Sequence, residues 1–425
     1  MSQEDKNIPE GWSETIIGNL TEWFSGGTPP KQDPKFWNGH IPWISAKTLK
    51  GTRTSDSDIK ITQLGLEKGS RIAVKDDLLI LVRGSGLFNS IPISIVEKPV
   101  AFNQDIKAIR LKKQYSHITA WFLLYWFHSQ TRVLNGIMEV TGIGAGKFDT
   151  RLLQNLTIKI PPLEELNQIT NTVKAFDDKI ENLRAQNNTL EQTAQTIFTD
   201  WFGKHQLEDE LPERWRVGKL NEFIQSSIGG DYGKEDITDD FNVKTICLRG
   251  TDLPDMKVGI PQKAPIRFLK ASKLEKCQLI NGDIVIEISG GTENQSTGRV
   301  MYINEVIIEN SESPMTCVNF CRIIRPINPE YSYFIYSVFD YLYNRKVMFN
   351  WENGTTGIKN LNLNSMLANF DLSLPESNTK IIEFNVVVRP FFIKIQTNNK
   401  HIQSLAQIRD ALSPKLMSGE LRVKL

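Results

Sequence analysis

No cysteine occurs before residue 247 of this 425-residue chain; the four present, Cys247, Cys277, Cys317 and Cys321, all lie in its second half. A chain long enough to bury two cores of ordinary size does not need disulfides to hold them, so a reducing cytoplasm is the expected location. Charge of one sign is lacking too. The 50 lysines and arginines against 49 acidic residues leave a net +1, so there is no global basic field and any contact with a polyanion has to come from local patches. Long hydrophobic runs are missing: WFLLYWF, Trp121 to Phe127, is far too short to span a bilayer. The start, MSQEDKNIPEGW, has no basic segment followed by an apolar core, so no secretory signal is expected. Histidine is scarce, and His40, His117, His128, His205 and His401 are scattered without metal or triad spacing.

What the chain does have is a repeat. PEGW at Pro9 to Trp12 returns as PERW at Pro212 to Trp215, ISAKTL at Ile44 to Leu49 answers LRGTDL at Leu248 to Leu253, and DLLILVRGSG at Asp77 to Gly86 answers DIVIEISGGT at Asp283 to Thr292. FNQ at Phe102 pairs with VNF at Val318, and the aromatic run from Tyr115 to Phe127 pairs with that from Tyr331 to Tyr343. Each half holds short β-like runs punctuated by Gly and Pro, then one aromatic amphipathic helix, which predicts two mixed α/β copies.

Each copy ends in a long helical pattern. After IKIPP, apolar residues fall at Leu166, Ile169, Val173, Phe176, Ile180, Leu183, Leu190, Ala194, Ile197 and Trp201, alternating by three and four except at Asn187, as in a coiled-coil seam. No glycine or proline interrupts Leu163 to Phe202, and Gly203 follows as a stop. At about 1.5 Å per residue this predicts a rod of roughly 60 Å. The second copy runs through Ile381, Phe384, Val388, Phe391, Ile395, Ile402, Leu405, Leu412 and Leu416, with Asn398 and Arg409 as polar members. Pro390 inside it is expected to kink the helix or mark its true start. Two seams of matching length can satisfy each other by folding back antiparallel; the alternative is that each docks on its own domain or on another protein. The expected division is a first domain over 1–161, a spacer helix over 162–203, a second domain over 204–376, and a second helix with its tail over 377–425.

Catalytic patterns fail one by one. TGIGAGKFDT, Thr141 to Thr150, suggests a phosphate loop, but that motif requires Gly where Thr141 stands and Ser or Thr where Phe148 stands. The stretch also precedes a β-like run, whereas a phosphate loop opens a helix. It reads as a turn, with Lys147 as a phosphate contact; its counterpart is GTTGIK at Gly354 to Lys359. Asp77, Asp105 and Lys107 imitate a magnesium nuclease triad, yet in the second copy only Asp283 survives. Cys317 and Cys321 lack a second ligand pair for zinc and read as core thiols. No catalytic residue and no metal site is assigned.

IPEGW, SGGTP with FWNGHIPWIS, IPPLEEL leading into the long helix, PERW and the terminal SPKLMSGEL together resemble the DNA-specificity subunit of type I restriction-modification systems, over nearly the whole chain. PESNTKII after Pro375 departs from that family's usual helix entry and leaves the start of the second helix open. The resemblance implies two target-recognition domains joined by two conserved helices forming an antiparallel coiled coil, a pseudo-two-fold molecule without catalytic activity. It implies double-stranded DNA and two methyltransferase subunits as partners, with endonuclease/translocase subunits joining through the complex. S-adenosylmethionine, ATP and Mg²⁺ would serve those partners, and this chain would hold no cofactor. Similar but non-identical domains on a rigid spacer would read a bipartite, asymmetric target, their separation bounded at about 18 bp by a rise of 3.4 Å. A specificity subunit serving a fused methylase-nuclease polypeptide, a self-sufficient nuclease and a protein-binding scaffold are the competing readings.

For DNA contact the expected residues are Lys47, Arg53, Arg83, Ser85, Asn103, Gln104 and Lys147 in the first domain, and Arg249, Thr251, Thr292, Arg299 and Lys359 in the second. Asn103 also has a structural reading, because Asn319 is placed at the matching position. Trp37 and Trp43 read as framework rather than as platforms for an extruded base.

Overall fold

The computed structural model describes residues 8–142, 144–207, 211–258, 264–354 and 358–423. Contacts divide the chain into two compact units, 1–178 with 406–425 and 179–405, so that part of each long helix belongs to each unit.

The repeated turn opens both units. The Trp12 amide donates to the Pro9 carbonyl at 3.0 Å and the Trp215 amide to the Pro212 carbonyl at 3.1 Å, so PEGW and PERW are one structure built twice. The strand that follows pairs antiparallel with the strand that closes the unit: Ser13–Ile16 with Thr157–Ile160, and Trp215–Lys219 with Asp371–Pro375. Each unit's entry and exit are therefore stitched together where the long helix begins.

Between them lies a sheet whose central strand is buried along its length: Leu78–Leu81 in the first unit and Ile284–Glu287 in the second. Four apolar residues in the first, and three followed by the buried Glu287 in the second, fit a strand covered on both faces. Ile106–Leu111 lies antiparallel beside the first, and Cys321–Pro326 beside the second. A smaller sheet contains the parallel pairs Val100–Phe102 with Trp37–Ile44, and Met315–Cys317 with Val243–Leu248. The aromatic runs form the helices Ala120–Ser129 and Ser332–Asn344. The Thr119 hydroxyl caps the first by accepting the Phe122 amide.

The long helices span Leu163–Trp201 and Thr379–Ser418. In each unit their segments run antiparallel. In the first, Glu165 pairs with Arg422 beyond the second helix's end, and Asp177 with Arg409. In the second, Asn187 meets Asn398 and Asn399, while Phe198 and Phe202 pack on Phe384 with ring centroids 5.8 and 5.4 Å apart.

The seam differs from its apolar reading. Leu166, Ile169, Val173, Ile180, Leu183 and Ala194 are buried, but Phe176, Leu190, Ile197 and Trp201 are only half-buried; the buried positions there are Asp177, Phe198 and Phe202. In the second helix Ile381, Phe384, Val388, Ile395, Ile402 and Leu416 are buried, Phe392 replaces the half-buried Phe391, and Leu405 and Leu412 lie at the margin. The physical reason is that three-and-four spacing was completed with the nearest apolar residue, whereas the structure seats polar side chains where they find partners. Pro390 does not begin the helix, which starts at Thr379 after the Ser377 hydroxyl accepts the Thr379 amide. A proline here removes the donor for the Val386 carbonyl. Val386 is 64% exposed, so water can reach that turn.

Candidate nucleic-acid interface

Hydrogen-bond registers align the two units residue by residue. Asp77 is buried, accepts the Val74 amide at 2.8 Å and binds the Arg110 guanidinium through two 2.7 Å bonds. Asp283 likewise accepts the Ile280 amide at 2.9 Å and binds Arg325 at 2.9 and 2.8 Å. The three residues of the nuclease-like pattern are each engaged: Asp77 is held by a guanidinium, Asp105 accepts from Asn103 at 3.0 Å, and Lys107 bonds Ser25. No group of three His, Cys, Asp or Glu side chains able to hold a metal ion occurs among the described residues. The four cysteines are buried core thiols; burial pushes Cys247 and Cys317 up to about 12 and Cys321 higher still.

The same registers revise two correspondences. The Asn103 amide donates to the Ile44 carbonyl and the Val318 amide to the Leu248 carbonyl, so the counterpart of Asn103 is Val318, not Asn319. Asn103 is buried, and its side chain both donates to the Asp105 carboxylate and accepts the Asp105 amide, closing its own turn. Lys147 lies opposite Arg83, whereas Asn360 lies opposite Ser289, so Lys359 takes the place of Gly146 rather than of Lys147. Matching by residue type misled here, because a one-residue shift along a strand moves a lysine to the next register row.

The remaining candidates fall into two groups. Four cations are held by carboxylates. Arg53 bonds Asp178 and Glu97 and lies 4.6 Å from the Trp121 ring. Burial works against its charge, but these two carboxylates outweigh that and raise its pKa. Arg249 binds Asp252 at 3.0 and 2.9 Å. Arg299 binds Glu287, whose carboxylate raises its pKa. Lys359 lies 3.1 Å from Glu352. Thr292 caps a turn by accepting the Gln295 amide at 3.2 Å, and Gln104 accepts from Thr28 at 2.5 Å. Lys47, Arg83, Ser85 and Thr251 are exposed and Lys147 half-exposed. Trp37 and Trp43 stack edge to face at 5.3 Å, their indole N–H groups on the Pro30 and Gly27 carbonyls, which is framework geometry.

Overlooked in the sequence was a buried polar cluster where the second unit meets its helices. Tyr336 donates to Glu191 at 2.9 Å, Lys257 binds Asp340 at 2.8 Å, and Asn399 donates to the Met256 and Lys257 carbonyls at 3.1 and 3.2 Å. Only Asn187 and Asn398, as breaks in the apolar seam, gave a signal for it.

The two units share a scaffold, with Asp77 on Arg110 matching Asp283 on Arg325, and differ in the exposed side chains at matching places. Residues 9–192 match the type I restriction modification DNA specificity domain. The chain is 26% identical to the MjaIX specificity subunit of Methanocaldococcus jannaschii over 98% of this chain and 95% of that one. To the EcoR124I/EcoR124II specificity subunit of Escherichia coli it is 28% identical over 38% and 40%. The S subunit of the M. genitalium type I system shares its fold, with a TM-score of 0.55 at 17% identity over 98% of each chain. The architecture implied by the resemblance, mixed α/β repeats with two long antiparallel helices, is the one the chain adopts. No helix among the described residues is long and apolar enough to cross a membrane.

Proposed function

We propose that the chain is the non-catalytic targeting subunit of a type I complex. It recognises a bipartite, asymmetric sequence in double-stranded DNA and brings two adenine-N6 methyltransferase subunits, and through them ATP-dependent endonuclease/translocase subunits, to that sequence. The observation that carries this reading is the repeat itself: the Asp77/Arg110 and Asp283/Arg325 pairs hold equivalent strands, while the exposed candidates Lys47, Arg83 and Ser85 have Thr251, Ser289 and Gly291 at the matching places. Two scaffolds of one kind with different surfaces suit two different half-sites. S-adenosylmethionine, ATP and Mg²⁺ belong in this reading to the partner subunits.

The test mixes the purified chain with its methyltransferase and S-adenosylmethionine. The chain alone is expected neither to methylate nor to cut DNA, and the mixture is expected to methylate adenine at one motif. Replacing Asp5 to Pro161 by another family member's first domain should change one half of that motif. Unchanged preference after the exchange would overturn the reading, and magnesium-dependent cutting by the isolated chain would favour a nuclease instead.

A further inference from the structure

Immediately after the central buried strand, each unit makes the same abrupt turn. Gly84 has φ +150° and Gly290 has φ +148°, a conformation open in practice only to glycine. The chain then joins a three-stranded ribbon completed by the segment that leads back toward the long helix. In the first unit the ribbon is Arg83–Gly84, Gly146–Lys147 and Glu139–Val140; in the second it is Ser289–Gly290, Lys359–Leu361 and Glu352–Asn353. It is anchored alike in both, by the Phe148 amide on the Val82 carbonyl and the Leu361 amide on the Ile288 carbonyl.

One register row crosses all three strands. In the first unit it reads Arg83, Lys147, Glu139, and in the second Ser289, Asn360, Asn353. The backbone is matched position for position, yet no side chain is shared. None of the six side chains has a hydrogen-bonding or ionic partner among the described residues, whereas Arg53, Arg249, Arg299 and Lys359 are all held by carboxylates. The ribbon also carries apolar residues into solvent: Val140 is 66% exposed and Ile358, next to the row's strand, 64%.

We infer that this row is the base-reading edge of each unit, entering the major groove of double-stranded DNA. The groove admits a β-ribbon, and base edges there are distinguished by side-chain donors and acceptors. Arg83 and Lys147 present donors suited to guanine O6 and N7, which moves Lys147 from the phosphate contact expected from the sequence to a base contact; Asn353 and Asn360 present the paired donor and acceptor suited to adenine N6 and N7. The exposed valine and isoleucine suit the thymine methyl. The inference rests on the DNA-targeting reading and deepens it, assigning the half-site of the first unit a guanine and that of the second an adenine.

The test is selection of bound duplexes from a randomised pool by the full-length chain, with the bound sequences read out. The wild type should enrich a two-part motif. A row exchange in the first unit, R83S/K147N/E139N, should change the enriched bases of one part and leave the other part and the spacing as they were. The reciprocal S289R/N360K/N353E should change the other part. The single variants R83A and N353A, at exposed positions, should keep the wild-type melting temperature and lose roughly five- to hundredfold in preference for guanine and adenine respectively. An unchanged motif would overturn the assignment, as would uniform weakening across all sequences with a shallower salt dependence, the mark of phosphate contact. Were the wild type to enrich nothing, DNA targeting itself would fail before any variant was made, so the two failures are distinct.

Discussion

A buried carboxylate whose guanidinium partner stands on the next strand is the residue that both units share most closely. The repeat in the sequence pairs Asp77 with Asp283, but nothing in it marks Arg110 and Arg325, since a cation on a β-like run looks like an outward-facing strand residue. Arg110 is partly exposed and Asp77 is not, so removing the arginine leaves the more costly orphan. R110A is expected to lower stability by about 3 kcal/mol, and urea unfolding should rank it below D77N, in which the charge left unpaired is the partly exposed guanidinium. Glu191 offers a pH test. Burial raises its pKa above the ordinary glutamate range, opposed in part by Lys257 and assisted by Asp340. The folded state then holds its proton after the unfolded state has released it, so this group's ionisation costs stability as pH rises from about 4.3 through the raised value. E191Q should be free of that loss. The difference between variant and wild type, followed by denaturation midpoints across pH, should grow upward through that window; a constant difference would contradict it.

At the scale of the element, the three-and-four spacing placed the first long helix almost to the residue, because glycine and proline are absent and one apolar stripe recurs. It could not choose among neighbouring residues at the stripe's edge. Phe198, Phe202 and Phe392 are buried beside the half-buried Ile197, Trp201 and Phe391, and that choice depends on which side of the stripe faces the partner helix. The polar members are held by mutual hydrogen bonds: Asn187 donates to Asn399 at 2.7 Å and accepts from Asn398 at 2.9 Å. N187A should cost about 1–3 kcal/mol by leaving amides buried without partners. N187L/N398L should regain part of it, at the expense of a unique helix register; thermal melts compare the two. P390A restores a donor to the Val386 carbonyl at an exposed turn and is expected to raise the melting temperature, a gain of about 1 kcal/mol or more.

On the scale of the whole molecule, a net charge of +1 means that DNA affinity has to arise at local sites. Lys47 is exposed in the turn after Trp37–Ile44, and K47A is expected to weaken binding to every duplex alike and reduce the salt slope by about one. That uniform loss contrasts with the base-selective change expected of R83A, and titration at several salt concentrations separates them. The sequence by itself determined the repeat, the class of each unit and the two long helices, because these are written in local periodicity, turn residues and motifs in a fixed order. Only the tertiary structure decided which cations are free and which strand position answers which. Arg53 and Asp178 are 125 positions apart, and Lys147 meets Arg83 only across a ladder whose register no local pattern specifies. A side chain's availability for DNA is a property of its partners, and folding chooses those from distant parts of the chain.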